Sequence, residues 1–250
     1  MRLYEFEGTE LFRKGGIVGP AYAIAGSLAE VREKVQEIGL PVIVKAQVLT
    51  GGRYLAGGVK TANSPEEAEE ISRHMFGMTI GGMSIPYVMI VRQVAVEQEF
   101  YAGITVDYYK GTPVAILSAG GGVSVDTIAR EHPELMSTRT VPITTSLSLF
   151  EAKQMAHDVG LSGRDVVNVA ETLTNLYKVF RSNDALVAEI NPLVRTTDGQ
   201  YLALDAKMEI DDSSLYRHPE LNLARSKRFL NPLEERGRQI GVAYVELDGD

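Results

Sequence analysis

Two groups of residues have the types and spacing to do chemistry. The first lies in IVKAQVLTGGRYLAGGVK, residues 43–60. Lys45 interrupts an apolar, strand-like run, and Gly51, Gly52, Gly57 and Gly58 flank Arg53. A lysine on a strand can aim a fixed ammonium at an anion. The glycines let backbone N–H groups approach anionic oxygens closely, and the planar Arg53 fork suits phosphate. The plain alternative, a surface loop beside an edge-strand lysine, stays open. The second group lies in AEINPLVRTTDGQYLALDAK, residues 188–207. Glu189 and Asn191 are two apart and so share a strand face. Asp205 can come opposite them across a hairpin that turns at Asp198-Gly199. Two carboxylates and an amide oxygen form a hard donor set suited to Mg²⁺. Acids among apolar neighbours such as Ala185, Val187 and Leu193 are costly unless paired or metal-bound. Acids facing water from a half-exposed strand are the alternative, although Asn191-Pro192 is unusual inside a plain strand.

The elements that must position these groups are readable. Residues 4–14 read as a short helix ending at Gly15-Gly16, and 21–26 as a strand. Residues 27–39 form a helix pattern with Ser27 as N-cap, Glu30 completing a capping box and Gly39 at the end. A strand over 41–48, the glycine loop, and a helix over 64–77 with Ser64 as cap and Pro65 in its first turn follow. This alternation is an α/β signature. The stretches 87–96, 98–111 and 112–121 read as strands of an antiparallel meander. Residues 148–160 and 163–184 read as helices, and 185–211 as the hairpin carrying the acids. The last ~35 residues are polar with helical pieces. No internal repeat is present.

Composition narrows the function classes. With 33 acidic against 25 basic residues, the net charge is −8, which argues against nucleic acid as a partner. Cysteine is absent, so thiol catalysis and thiolate metal sites are excluded, and a reducing cytoplasmic setting is expected. No apolar run of about 18 residues suggests a membrane span. Neither G-x-x-x-x-G-K-[ST] nor G-x-G-x-x-G occurs. The four histidines, His74, His132, His157 and His218, fall on helices, a turn and a motif near the C-terminus, and none reads as a phosphoacceptor. Tyr101, Tyr108 and Tyr109 read as core and rim.

Together, LYEFEGTELFRKGGI, VKAQVLTGGRYLAGGVK, EFYAGITVD, SAGGGVSVD, AEINPLV, LDAK, LYRHPEL and VAYVELDGD span the chain in order. In this, the sequence resembles the nucleotide-binding β subunits of succinyl-CoA synthetases, within the ATP-grasp superfamily. The resemblance implies an α/β (α+β) fold of two lobes, with mixed or antiparallel sheets flanked by helices. The domain would run over 1–240, with about 21–97 as the smaller lobe and 1–20 and 98–240 as the larger. Residues 241–250 would begin a linker to a further, flavodoxin-like domain. By resemblance, Lys45 contacts nucleotide phosphates, Gly51, Gly52 and Arg53 belong to the loop over them, and Glu99 is a nucleotide-site carboxylate. Adenine docks on backbone near Val91 and Arg92. Asn191 and Asp205 hold Mg²⁺, and Glu189 faces a phosphohistidine from a partner. ATP is implied over GTP, in part by Pro20. CoA would bind through a CoA-binding α-type partner subunit or the further domain, giving a hetero-oligomer that acts on a small carboxylic acid. Such enzymes are acid–thiol ligases of the tricarboxylic acid cycle type. This sequence departs from the family pattern at Arg92, where an acid is usual, at Tyr54 and Leu55, and at Gly120. A carboxylate–amine ligase working through an acyl phosphate and a non-catalytic nucleotide-binding module are the alternatives.

Overall fold

The computed structural model describes residues 1–122 and 125–221, together with 233, 236, 237, 240–242 and 244. It divides into two units, residues 1–214 and 215–250. In the second unit, Pro219–Leu221 forms a 3-10 turn beside which the His218 ring meets the Glu220 carboxylate at 3.2 Å. Most of 241–250, and with it the expected linker, lies outside the described residues. Everything below concerns the first unit.

In chain order its elements are α1 (Glu5–Lys14), β1 (Tyr22–Ala25), α2 (Leu28–Ile38), β2 (Val42–Gln47), β3 (Val59–Ala62) and α3 (Pro65–Phe76). Then come the short pair β4 (Thr79–Ile80) and β5 (Met83–Ser84), followed by β6 (Tyr87–Arg92), β7 (Val96–Asp107) and β8 (Thr112–Ser118). α4 (Val125–Glu131), β9 (Met136–Thr140), α5 (Leu149–Asp158), α6 (Gly163–Ser182), β10 (Ala185–Thr196), β11 (Tyr201–Ala203) and β12 (Lys207–Ile210) complete it.

The first sheet runs β1-β6-β2-β3 and is antiparallel throughout. Period-two alternation on β2 places Val42, Val44 and Ala46 in one core with Val31, Val35 and Ile38 of α2, Ala68 and Met75 of α3, and Val88 and Ile90 of β6. The remaining β2 side chains, Lys45 and Gln47 among them, project from the other face. Both are buried. Lys45 is thus on an interior strand, which removes the edge-strand reading. The stretch 87–96 does not join the expected meander. It ends at Arg92 and inserts β6 between β1 and β2, a non-local pairing that leaves no local sequence mark.

The second sheet runs β11-β10-β7-β8-β9, with β12 also pairing β10. Its meander is β7-β8-β9, backed by α6, whose Val169, Leu173, Leu176, Tyr177 and Phe180 are buried. The expected hairpin over 185–211 is three strands. β10 pairs β11 over Leu193–Arg195 and β12 over Ala185–Glu189. Between those stretches its register also shifts against β7, between Ile190 and Leu193. The turn residue Gly199 sits at φ +83°.

One cap differs from expectation in detail. Ser148 and Ser64 accept from Glu151 N and Glu67 N as helix caps should. Ser27 starts α2 without such a bond, and Glu30 reaches back to the Gly26 amide instead. The chain start is tied to the second sheet: Leu3 N donates to Met208 O at 3.0 Å, and Arg2 bridges Glu209. It also meets the first sheet, where Tyr87 of β6 packs edge-on against the stacked rings of Tyr4 and Phe6.

Candidate functional site

The face of β2 away from the helices carries the centre of the site. Lys45 Nζ donates to Glu5 at 2.8 Å and to the Leu204 carbonyl at 2.6 Å. Gln47, next on that face, donates to the other Glu5 oxygen at 3.2 Å, and its own Oε1 accepts from the Phe6 amide in the first turn of α1. Arg53 comes back from the glycine loop to meet Glu5 at 2.6 Å and Asp205 at 2.9 Å. Two cations from the first sheet therefore interlock with two carboxylates, one from α1 and one from the segment between β11 and β12.

Burial makes this arrangement strongly directional. Desolvation alone would push the Glu5 carboxyl up, but Arg53 and Lys45 outweigh it and hold it down at about 2. The Arg53 guanidinium loses solvent too, yet Glu5 and Asp205 raise its hold on the proton. Asp205 is pushed up, first by burial and then by the charge of Glu5, with Arg53 and Lys45 opposing. A further cation beside Asp205 would offset that cost.

Beside the cluster opens a cavity of about 270 Å³, lined among others by Glu5, Gly51, Gly52, Arg53, Glu189, Asn191 and Asp205. The structure thus brings together Gly51, Gly52, Arg53, Glu189, Asn191 and Asp205, with Lys45 one contact behind through Glu5. Glu189 is held by Lys207 at 2.9 Å, its register neighbour on β12. Asn191 Oδ1 accepts from the Gly122 amide at 2.8 Å. Asp205 sits in the irregular segment between β11 and β12, opposite the register shift of β10.

Three expected residues lie elsewhere. Val91 is buried in β6, with both its neighbours, β1 and β2, in register. Arg92 is drawn to the end of α2, where Nε and one terminal nitrogen donate to the Ile38 carbonyl at 3.1 and 2.6 Å. That is a helix C-terminal contact of the kind cations favour. Glu99 on β7 stands near the glycine loop 120–122: a Cβ on Gly122 would meet its carboxylate at 2.3 Å.

Mg²⁺, the metal the family implies, suits the donor set. Glu189, Asn191 and Asp205 offer only hard oxygens, and no His or Cys lines the cavity. Among the described residues no cluster of three or more His, Cys, Asp or Glu could hold an ion outright. Mg²⁺ keeps waters and shares phosphate oxygens, so it does not require an all-protein cage.

Sequence reasoning missed Glu5 and Gln47. Glu5 looked like an ordinary acid at a helix start, and only the pairing of β2 with α1 reveals it. Tyr101 was read as core or rim and is buried. Its hydroxyl is pushed up by burial and by the nearby charges of Glu189 and Asp126. Tyr108 and Tyr109 are exposed at the β7–β8 turn.

Comparison with known proteins gives the family and the fold. A family model described as ATP-grasp domain matches residues 2–195. The succinate–CoA ligase [GDP-forming] β subunit of Thermus thermophilus is 38% identical over all of this chain and 66% of its own length. The ADP-forming β subunit of Rubrobacter xylanophilus is 39% identical, with 65% of it covered. That of Chlorobium chlorochromatii is 38% identical, with 67% covered. The chain thus spans roughly two thirds, 65–66%, of the first two of these. Among solved structures, the dinucleotide-forming acetyl-coenzyme A synthetase 1 of Ca. Korarchaeum cryptofilum, in complex with coenzyme A and Ca-AMPCP, superposes with a TM-score of 0.69. It shares 20% identity and covers 84% of this chain and 93% of its own. The ATP citrate lyase of Methanothrix soehngenii gives a TM-score of 0.68 at 21% identity, over 92% of this chain and 55% of its own. These structures share the fold. By the domain match and by end-to-end similarity to the ligase subunits, the chain belongs to the ATP-grasp family, alongside the β subunits of succinate–CoA ligases.

Proposed function

We propose that this chain binds Mg-ATP and forms the nucleotide-binding part of an ADP-forming acyl-CoA synthetase of the succinate–CoA ligase type. In that role it phosphorylates a histidine of a CoA-binding α-type partner, and the phosphoryl group then passes to a carboxylic acid before CoA displaces it. The observation that carries the reading is the meeting, at one cavity, of Arg53 and the glycine loop with Glu189, Asn191 and Asp205. Cations from one sheet and oxygen donors from the other suit a nucleotide phosphate chain gripped between them. We assign about 21–97 to the smaller lobe, and 1–20 and 98–240 to the larger.

Lys45 and Arg53 offset charge on the phosphate oxygens, and Gly51 and Gly52 let the backbone approach them. Asn191 and Asp205 hold Mg²⁺, which when bound neutralises charge that builds up on the phosphates. Glu189 orients the incoming imidazole, and Glu99 borders the nucleotide. The base lies along the end of β6, near Val91 and Arg92. The Arg92 and Gln93 amides are already engaged by the Ala21 and Pro41 carbonyls, so neither is left to donate to a guanine oxygen. The absence of those two donors supports ATP over GTP. The partner, the acid and the hetero-oligomeric state rest on similarity to the β subunits. A cytoplasmic setting is supported by the absence of cysteine. Among the described residues no helix is long and apolar enough to cross a membrane.

The test mixes the chain with a CoA-binding partner subunit, Mg²⁺ and ATP labelled in the γ-phosphate. Acid-labile, base-stable label on the partner is the expected result. Label found only as acyl phosphate or amide product would establish the carboxylate–amine ligase reading, and nucleotide binding without transfer a non-catalytic module.

A further inference from the structure

We propose that Glu5 is a positioning residue for phosphate recognition: its carboxylate fixes Arg53 at the cavity wall and Lys45 one contact behind it, so that both cations are held in set orientations. This rests on the Mg-nucleotide reading of the site and deepens it. Glu5 is buried at 5% exposure, a costly place for a carboxylate with only a packing role. One of its oxygens takes the Lys45 ammonium at 2.8 Å, and the other takes Arg53 at 2.6 Å and Gln47 at 3.2 Å.

The donor arithmetic shows what this does. An ammonium has three N–H bonds in tetrahedral array. Glu5 and the Leu204 carbonyl engage two of them, so the direction of the third is set. Arg53 has five donors in a plane. Its contacts to Glu5, Asp205 and the Ala46 carbonyl fix that plane at the cavity wall. Without Glu5, Arg53 retains only Asp205 as a counter-charge, and Lys45 keeps one carbonyl and becomes free to rotate. Two cations that are only nearby attract any anion, whereas two held in fixed orientation distinguish a phosphate chain from other anions.

Glu5 is itself held from two directions. Leu3, two residues before it, pairs with Met208 of β12, and Gln47 Oε1 takes the Phe6 amide just after it. The carboxylate therefore joins α1, β2, the glycine loop and the β11–β12 segment at one point.

The test is calorimetric binding of Mg-ADP and of adenosine to the full chain and its variants. The readout is the ratio of the two dissociation constants, which isolates recognition of the phosphates. In Glu5→Gln this ratio should fall at least tenfold with the adenosine constant unchanged. In Glu5→Asp, which keeps the charge but withdraws it, the fall should be at least threefold and smaller than for Gln. In a Lys45→Met background, adding Glu5→Gln should lower the ratio by less than it does in the wild type, because one of the two cations through which Glu5 acts is already removed and only Arg53 remains. Should Glu5→Gln not fold, Glu5→Asp and the double variant, in which a charge pair is removed together, decide the matter. An unchanged ratio in Glu5→Asp, or equal falls in the two backgrounds, would overturn the role of Glu5 alone. A wild-type chain that binds neither ligand would overturn the nucleotide reading and this proposal with it.

Discussion

At the scale of residues, the site is a balance of buried charges, and single substitutions should unbalance it measurably. Lys45→Ala leaves Glu5 with Arg53 as its only cation. Breaking one side of a buried pair typically costs about 3–5 kcal/mol, so denaturant unfolding should show a loss of that order, along with weakened Mg-ADP binding. Unchanged affinity would remove Lys45 from the phosphate site. Glu5 contributes to the acid limb of stability. Its folded value of about 2 lies below the usual 4.5, so its stabilisation is fully present above 4.5 and is lost as the pH falls towards 2. At ~1.4 kcal/mol per unit this amounts to about 3 kcal/mol. Asp205 shifts the opposite way, so its protonation favours the folded state as pH falls. Urea unfolding at pH 5 and pH 3 should therefore show a steeper loss in the wild type than in Glu5→Gln; parallel losses would contradict the charge assignment. Lys45, Arg53, Glu189, Asn191 and Asp205 were legible in the sequence because lysine in a strand and acids among apolar residues are locally anomalous. Glu5 and Gln47 were not, because each looks ordinary until α1 and β2 are in contact.

At the scale of elements, α1, α2, α3, α5 and α6 were legible because apolar period, caps and terminal glycines agree within one window, whereas the short α4 was not expected. The sheet membership of β6 was not. It lies some forty residues from its partner β2 in the chain, and strand pairing at that separation depends on loop closure and shared core more than on local propensity. Arg92 illustrates the consequence. The sequence marks it as a departure from the family beside the expected base site, but its guanidinium closes the C-terminal end of α2. Arg92→Ala should cost about 1–2 kcal/mol in thermal or chemical unfolding. A variant of wild-type stability would show the Ile38 contact to be idle. The glycine loop after β8 is equally restricted. A Cβ on Gly121 would lie 2.5 Å from the Phe100 carbonyl oxygen, and Phe100 belongs to a central strand that cannot yield. Gly121→Ala should therefore lower the unfolding midpoint more than Gly51→Ala, whose Cβ meets nothing.

At the scale of the whole first unit, the two sheets meet through few but strong contacts: Lys45 to Leu204, Arg53 to Asp205, and the chain start on β12. A ligand that bridges the same cations and oxygen donors should stabilise the folded state. At a hundredfold excess of Mg-ADP over its dissociation constant the gain is about 2.7 kcal/mol, read as a rise in unfolding temperature. Asp205→Asn should abolish the part of the rise that depends on Mg²⁺ and leave the part due to nucleotide alone. A rise of equal size with and without the metal would remove Asp205 from the metal site.

The pairing of Leu3 with Met208 has a consequence for synthesis on the ribosome. The first sheet can close once β6 has emerged, and Glu5 can then find Lys45 and Arg53. The backbone partner that anchors α1 and the second carboxylate, Asp205, arrive more than a hundred residues later. For that interval Lys45 and Arg53 face a single acid, Glu5, leaving net positive charge on the side where β10 and β12 will settle. The last strands to appear thus find an electrostatic target already waiting, and nucleotide capture begins only after they dock.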